Sequence, residues 1–99
     1  MNKVLAILGA GELGKQIANF ALKDNHYNKV CFYDDFNVNE EIKGNTNDLI
    51  SDFNNKVFDE LIIGIGYNHL KASEEKYTFL KNKVKFGKTT GVTFVRSIA

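Results

Sequence analysis

The 99-residue sequence contains no proline and a single cysteine, and its thirteen basic and twelve acidic residues leave a net charge of only +1. The missing proline carries no functional reading, but the other scarcities each exclude something. Near-neutrality argues against a nucleic-acid or membrane-surface partner. Cys31, between Val30 and Phe32 in an apolar run, cannot form an intrachain disulfide and reads as a small buried hydrophobe, which makes the reducing cytoplasm the default compartment. No stretch approaches the roughly 18–20 apolar residues of a membrane span. The apolar part of "MNKVLAIL" is also too short for the core of a secretory signal. There is no internal repeat and no low-complexity linker.

What is present is a folded-protein composition, 43% hydrophobic and 25% charged, with eight phenylalanines and four tyrosines. A chain of this length makes one domain over residues 1–99, burying roughly 60–70% of its extended-chain surface, with no room for a second. Acids are in excess over residues 1–50 and bases over 51–99. The one local basic cluster, "KNKVKFGK" from Lys81 to Lys88, reads as the solvated end of a helix and its exit loop.

The hydrophobic period alternates between strand and helix. "KVLAIL" (3–8) is a continuous apolar run of the kind found in parallel strands covered on both faces. Leu13, Ile17, Phe20 and Ala21 then step at three or four residues and predict a helix with these side chains on its buried face. "KVCFYD" (29–34) and "ELIIGIG" (60–66) are further strands. Between them a short extended piece ends at Gly44, followed by a short helix capped by Thr46 or Asn47. Leu70, Ser73, Tyr77 and Leu80 predict a helix over about 69–82 with Asn68 as its N-cap, and "GVTFVRS" (91–97) closes as a last strand. Strands joined by helices of this length imply right-handed crossovers in a Rossmann-like α/β three-layer sandwich, with a parallel sheet of four to five strands. The 3–8 strand is expected at its centre, between 29–34 and 60–66.

That placement gives "ILGAGELGKQIANF" a physical task. Gly9 ends the first strand, Gly11 lets backbone approach a ligand that a Cβ would block, and Gly14 lets the helix pack closely on the sheet. The N–H groups of the helix start then face the carboxyl edge, where oriented donors and the helix dipole hold phosphate. Asp34, twenty residues beyond Gly14, stands where an acid grips a ribose diol in dinucleotide-binding domains. The same glycines also suit a tight strand-to-helix turn without a ligand. Gly9 to Lys15 fits the P-loop spacing as well, but Gln16 replaces the required Ser or Thr. A complete dinucleotide site uses two halves and about six strands. Four or five strands suit a mononucleotide or a nucleotide-linked sugar better.

"KVLAILGAGELGKQIANFA", "KVCFYDD" and "DELIIGIGYNHLK" together resemble the N-terminal domain of bacterial nucleotide-sugar acyltransferases, the PglD-like or NeuD-like group. The resemblance covers nearly the whole chain. It implies a domain that binds a UDP- or TDP-linked amino sugar for sugar N- or O-acetylation in surface glycan biosynthesis. It also implies that acetyl-CoA binding, trimerisation and the catalytic histidine belong to a C-terminal left-handed β-helix absent from residues 1–99. Carried over by position, Gly9, Gly11, Glu12, Leu13 and Gly14 form the loop near the phosphates. Asp34 and Asp35 lie near base and ribose, and Gly66 and Asn68 border the same crevice.

The loop departs from the family's common G-x-G-G-H-G at Glu12 and Leu13. A carboxylate at position 12 is compatible with a pyrophosphate only if it points to solvent, and Leu13 cannot supply a histidine's hydrogen bond. His26 and His69 have no Cys, His or carboxylate at metal-ligand spacing, and Ser73 lacks the setting of a nucleophile elbow. No catalytic residue and no metal ligand is therefore assigned. Two other readings stay open, a stand-alone NAD- or CoA-binding regulatory module and a structural remnant that binds nothing.

Overall fold

A computed structural model describes residues 3–23, 26–37, 39–64, 70–83 and 93–95, with the backbone alone at 70–73, 81, 83 and 93–95. The apolar runs form strands and the amphipathic stretches helices, in the order β1 (Val4–Leu8), α1 (Glu12–Lys23), β2 (Lys29–Tyr33), β3 (Ile42–Gly44), α2 (Thr46–Asn54), β4 (Glu60–Ile63), α3 (Leu70–Lys83) and β5 (Thr93–Val95). All pairings are parallel, and the sheet order is β3-β2-β1-β4-β5. The first strand is central, as expected, with β2 and β4 on either side. Among the described residues no helix is long and apolar enough to cross a membrane.

Because side chains alternate along a strand, β1 feeds two cores. Ala6 and Leu8 point to a cluster with Cys31, Tyr33, Leu61, Leu49 and Phe53 of α2, Phe58, and Leu80 of α3. Leu5 and Ile7 point the other way, to Ile62, Tyr27, and Ala18 and Ala21 of α1. The result is the three-layer sandwich, with α2 and α3 on one face and α1 on the other. Cys31 is buried and unpaired.

Two local expectations are corrected. The buried face of α1 consists of Gly14, Ala18 and Ala21, whereas Leu13 and Ile17 are half-buried and Phe20 is 53% exposed. Small residues face the sheet because the helix approaches too closely for larger ones. A Cβ on Gly14 would lie 2.0 Å from the Gly9 carbonyl oxygen. The second correction concerns α2, which is capped by Asn45 rather than Thr46 or Asn47. Its side chain accepts from the Asp48 N–H while Asp48 accepts from the Asn45 N–H, a reciprocal capping box that satisfies two otherwise unpaired donors.

The amino edge of the sheet is tied by side chains. Asn28 accepts the Lys3 N–H (2.9 Å), Asp59 accepts the Val4 N–H (2.8 Å), and Glu60 accepts the Tyr27 hydroxyl and pairs with the Lys3 ammonium at 2.7 Å. Partial burial pushes the Glu60 carboxyl up, but the Lys3 and Tyr27 hydrogen bonds outweigh it and hold the group below its ordinary range. Burial, then the bond to Glu60, pushes the Tyr27 phenol up.

Candidate functional site

The carboxyl edge is built around the turn between β1 and α1. Gly9 has φ 116°, a left-handed conformation that a side chain would strain. Its N–H donates to the Tyr33 carbonyl (2.7 Å), which carries the β1–β2 ladder one residue past the strand. The chain then rises into α1, whose first i→i−4 bond runs from the Lys15 N–H to the Gly11 carbonyl (3.0 Å). The N–H groups of Glu12, Leu13 and Gly14 therefore have no acceptor within the helix.

The three glycines differ in kind. Gly14 is buried against the turn, as its contact with Gly9 shows. Gly11 is exposed, and a Cβ there would meet nothing within 4 Å. Open space thus lies over Gly11, at the positive end of α1. Glu12 is exposed, in the outward setting that tolerates a carboxylate beside phosphate, and Leu13 is half-buried. A fourth glycine escaped the sequence reading. A Cβ on Gly64, just past β4, would lie 3.0 Å from the Gly14 Cα and 3.0 Å from Ile7 Cγ2, so Gly64 and Gly14 together let α1 settle on the sheet. Its signal was the first glycine of "IIGIG".

The paired aspartates follow β2 but face different partners. Asp34 Oδ2 accepts the Ala10 N–H of the glycine turn (2.8 Å) and the Asn37 side-chain amide (3.1 Å), while Oδ1 accepts the N–H groups of Phe36 (2.8 Å) and Asn37 (3.0 Å). Four donors fill a carboxylate's acceptor sites. Partial burial pushes this carboxyl up, but the bonds from Ala10, Phe36 and Asn37 prevail and hold it below its ordinary range. Asp34 is therefore a strut between the glycine turn and the loop after β2. Its Asx-type turn has a sequence signal in the Asp-x-x-Asn spacing.

Asp35 turns the other way. Its carboxylate accepts the Thr46 N–H (2.8 Å) and hydroxyl (2.7 Å) and is paired with the Lys76 ammonium, which also reaches the Thr46 hydroxyl at 3.2 Å. Burial raises its carboxyl, but Lys76 and Thr46 bring it below the ordinary range. Asp35 so joins the β2 loop to the start of α2 and to α3. Thr46 entered the sequence reading only as a possible cap and Lys76 not at all, and neither was linked to Asp35, because no local pattern relates them to an acid eleven and forty-one residues away.

Gly9, Gly11, Glu12, Leu13, Gly14 and Asp34 are thus gathered around one turn, with Asp35 on its flank. Gly66, Asn68 and His69 lie outside the described residues. His26 is exposed in the connection from α1 to β2. No group of three or more metal-ligating side chains that could hold an ion occurs among the described residues.

Two solved structures share this arrangement of strands and helices. The chain is similar to a crystal structure of RSP, a Rex-family repressor, with a TM-score of 0.57 and 16% identity over 96% of this chain and 53% of that one. It is also similar to the crystal structure of RSP in complex with beta-NADH, with a TM-score of 0.53 and 15% identity over 96% and 54%. At such identities the likeness is one of fold, and the chain spans about half the length of those proteins. No curated protein sequence matches it. The model of the PglD N-terminal domain matches residues 4–77, from the start of β1 into α3, and so takes in the glycine turn and both aspartates. On that match over most of its length, the chain belongs to the PglD N-terminal domain family.

Proposed function

We propose that the carboxyl-edge crevice of this domain binds a UDP- or TDP-linked amino sugar, as the nucleotide-sugar module of a sugar acetyltransferase working in the cytoplasm on surface glycan precursors. The observation that carries the reading is the family match over residues 4–77. The site's chemistry supports it. N–H groups of the first turn of α1 donate to the diphosphate, the open space over Gly11 admits it, and exposed Glu12 keeps its charge in solvent. By the family resemblance, Gly66 and Asn68 belong to a turn bordering the same crevice. Acetyl-CoA and the catalytic base belong, in this reading, to a β-helix through which the full-length protein trimerises. Mixed with acetyl-CoA and amino-sugar nucleotides, the 99-residue chain is expected to release no CoA above background.

A second reading is favoured by one observation, the likeness to a protein whose structure holds beta-NADH. An NADH site of the usual kind needs a free carboxylate for the ribose diol. The Asp34 carboxylate is filled by four donors of its own chain, so it is not free to grip the ribose of either ligand. Calorimetric titration of the chain with a UDP-linked amino sugar and with NADH separates the two. Tighter binding of the sugar nucleotide, abolished by Gly11→Val, is the expected result. A clear preference for NADH would replace the reading with a dinucleotide-binding regulatory module.

A further inference from the structure

Among the described residues Phe36 is 90% exposed, far more than the other exposed large apolar side chains, Phe20, Leu22 and Phe79. An exposed apolar side chain is ordinary on a protein surface, but this one has an unusual mounting. The Phe36 N–H donates to Asp34 Oδ1 and so does the N–H of Asn37, which fixes the backbone on the side-chain's own residue and the next. Through its other oxygen the same carboxylate holds the Ala10 N–H of the glycine turn. The ring is therefore carried on a turn bonded directly to the loop over which the open space lies. Phe20 and Leu22, by contrast, sit in the last turns of α1, which runs back toward the amino edge.

The two carboxylates at the start of this loop are already engaged. Asp34 accepts four hydrogen bonds, and Asp35 accepts from Thr46 and is paired with Lys76. A ligand reaching from the glycine turn across the end of β2 thus meets two carboxylates already engaged by the fold and the exposed ring of Phe36. Bases stack on aromatic side chains because every base has a π-face, and the contact contributes affinity without reading a hydrogen-bond pattern.

We propose that the Phe36 ring is the platform on which the pyrimidine base of the bound nucleoside diphosphate stacks, placing the base end of the ligand over the β2 loop while the diphosphate lies at the glycine turn. The inference rests on the nucleotide reading above and adds the residue that holds the base. It makes Phe36 a determinant of affinity for the nucleoside part, with tolerance between uracil and thymine.

The sequence has no tryptophan, so Phe36→Trp places a single tryptophan at the platform, excited selectively over the four tyrosines. UDP is expected to quench it, and pyrophosphate, which has no base, is expected to leave it unchanged at saturation. In calorimetry Phe36→Ala is expected to weaken UDP binding about tenfold, and Phe36→Tyr to stay within about twofold of the natural chain, the stacked ring being retained. Thermal midpoints of all three variants are expected to match the natural chain, because the ring lies in solvent. If the natural chain binds UDP and Phe36→Ala binds it equally well, or the emission of the Phe36→Trp variant ignores saturating UDP, the platform is refuted while the nucleotide reading stands. If the natural chain binds no UDP at all, both fall.

Discussion

The two edges of the sheet use the same chemistry to different ends. At the amino edge, Glu60 is held by Lys3 and Tyr27, and Asp59 and Asn28 close the backbone of β1. At the carboxyl edge, Asp34 and Asp35 are held by Ala10, Phe36, Asn37, Thr46 and Lys76. The carboxyls of Glu60, Asp34 and Asp35 all lie below their ordinary ranges because hydrogen bonds outweigh partial burial. A depressed carboxyl therefore does not mark the binding edge of this fold. What distinguishes the carboxyl edge is the space over Gly11, the donors at the start of α1 that have no acceptor within the helix, and an exposed ring at Phe36.

The largest effect is expected at Gly14. A Cβ there collides with the Gly9 carbonyl, and relief requires the turn or the helix to move, so Gly14→Ala should cost about 3 kcal/mol in denaturant unfolding. A cost below about 1 kcal/mol would mean that the turn yields freely and is no rigid platform. Next comes Asp34→Ala, which strips partners from three backbone N–H groups and should cost about 2 kcal/mol together with the loss of nucleotide binding. Stability lost without loss of binding would separate the strut from the site.

Glu60→Ala tests the opposite edge. It leaves the Tyr27 hydroxyl without its acceptor and is expected to cost about 1.5 kcal/mol, with UDP affinity unchanged. Reduced affinity there would show that the two edges are coupled through β1 and β4. Acid titration divides them further. A carboxyl lowered on folding contributes stability that is present above its unfolded value and lost as the pH falls through its folded one. Decline should therefore begin near the ordinary Glu value of 4.5 through Glu60, and near the ordinary Asp value of 3.8 through Asp34 and Asp35. In Glu60→Gln the first part of that decline should vanish from thermal unfolding followed by circular dichroism, and in Asp34→Asn the later part should shrink. The smallest stability effect is expected at Gly11, where Ala enters empty space and should change stability by less than about 0.5 kcal/mol while still lowering UDP affinity.

The strands and helices were legible in the sequence because burial on both faces of a parallel strand leaves an apolar run, and a helix between strands leaves a 3.6-residue period. "KVLAIL", "KVCFYD" and "ELIIGIG" all carried that signal, as did the glycine turn, whose residues are neighbours in the chain. The rotated face of α1 was not legible. Periodicity marks Leu13, Ile17 and Phe20 as the apolar stripe, and only the distance between helix and sheet decides that Gly14, Ala18 and Ala21 take the inner positions.

The pair Asp34 and Asp35 divides along the same line. Their position at the end of β2, beside the glycine turn, follows from the strand that precedes them and from parallel pairing with β1. Their partners do not. Ala10, Thr46 and Lys76 come from three other segments, and hydrogen-bond acceptors leave no periodic trace by which a sequence could announce which donors will reach them. The sequence by itself determined the order of elements, the turn and the family, since these depend on neighbours along the chain. Only the tertiary structure decided which donors hold the two acids and that Phe36 stands exposed beside them, because that depends on which distant segments the closed sheet brings into contact.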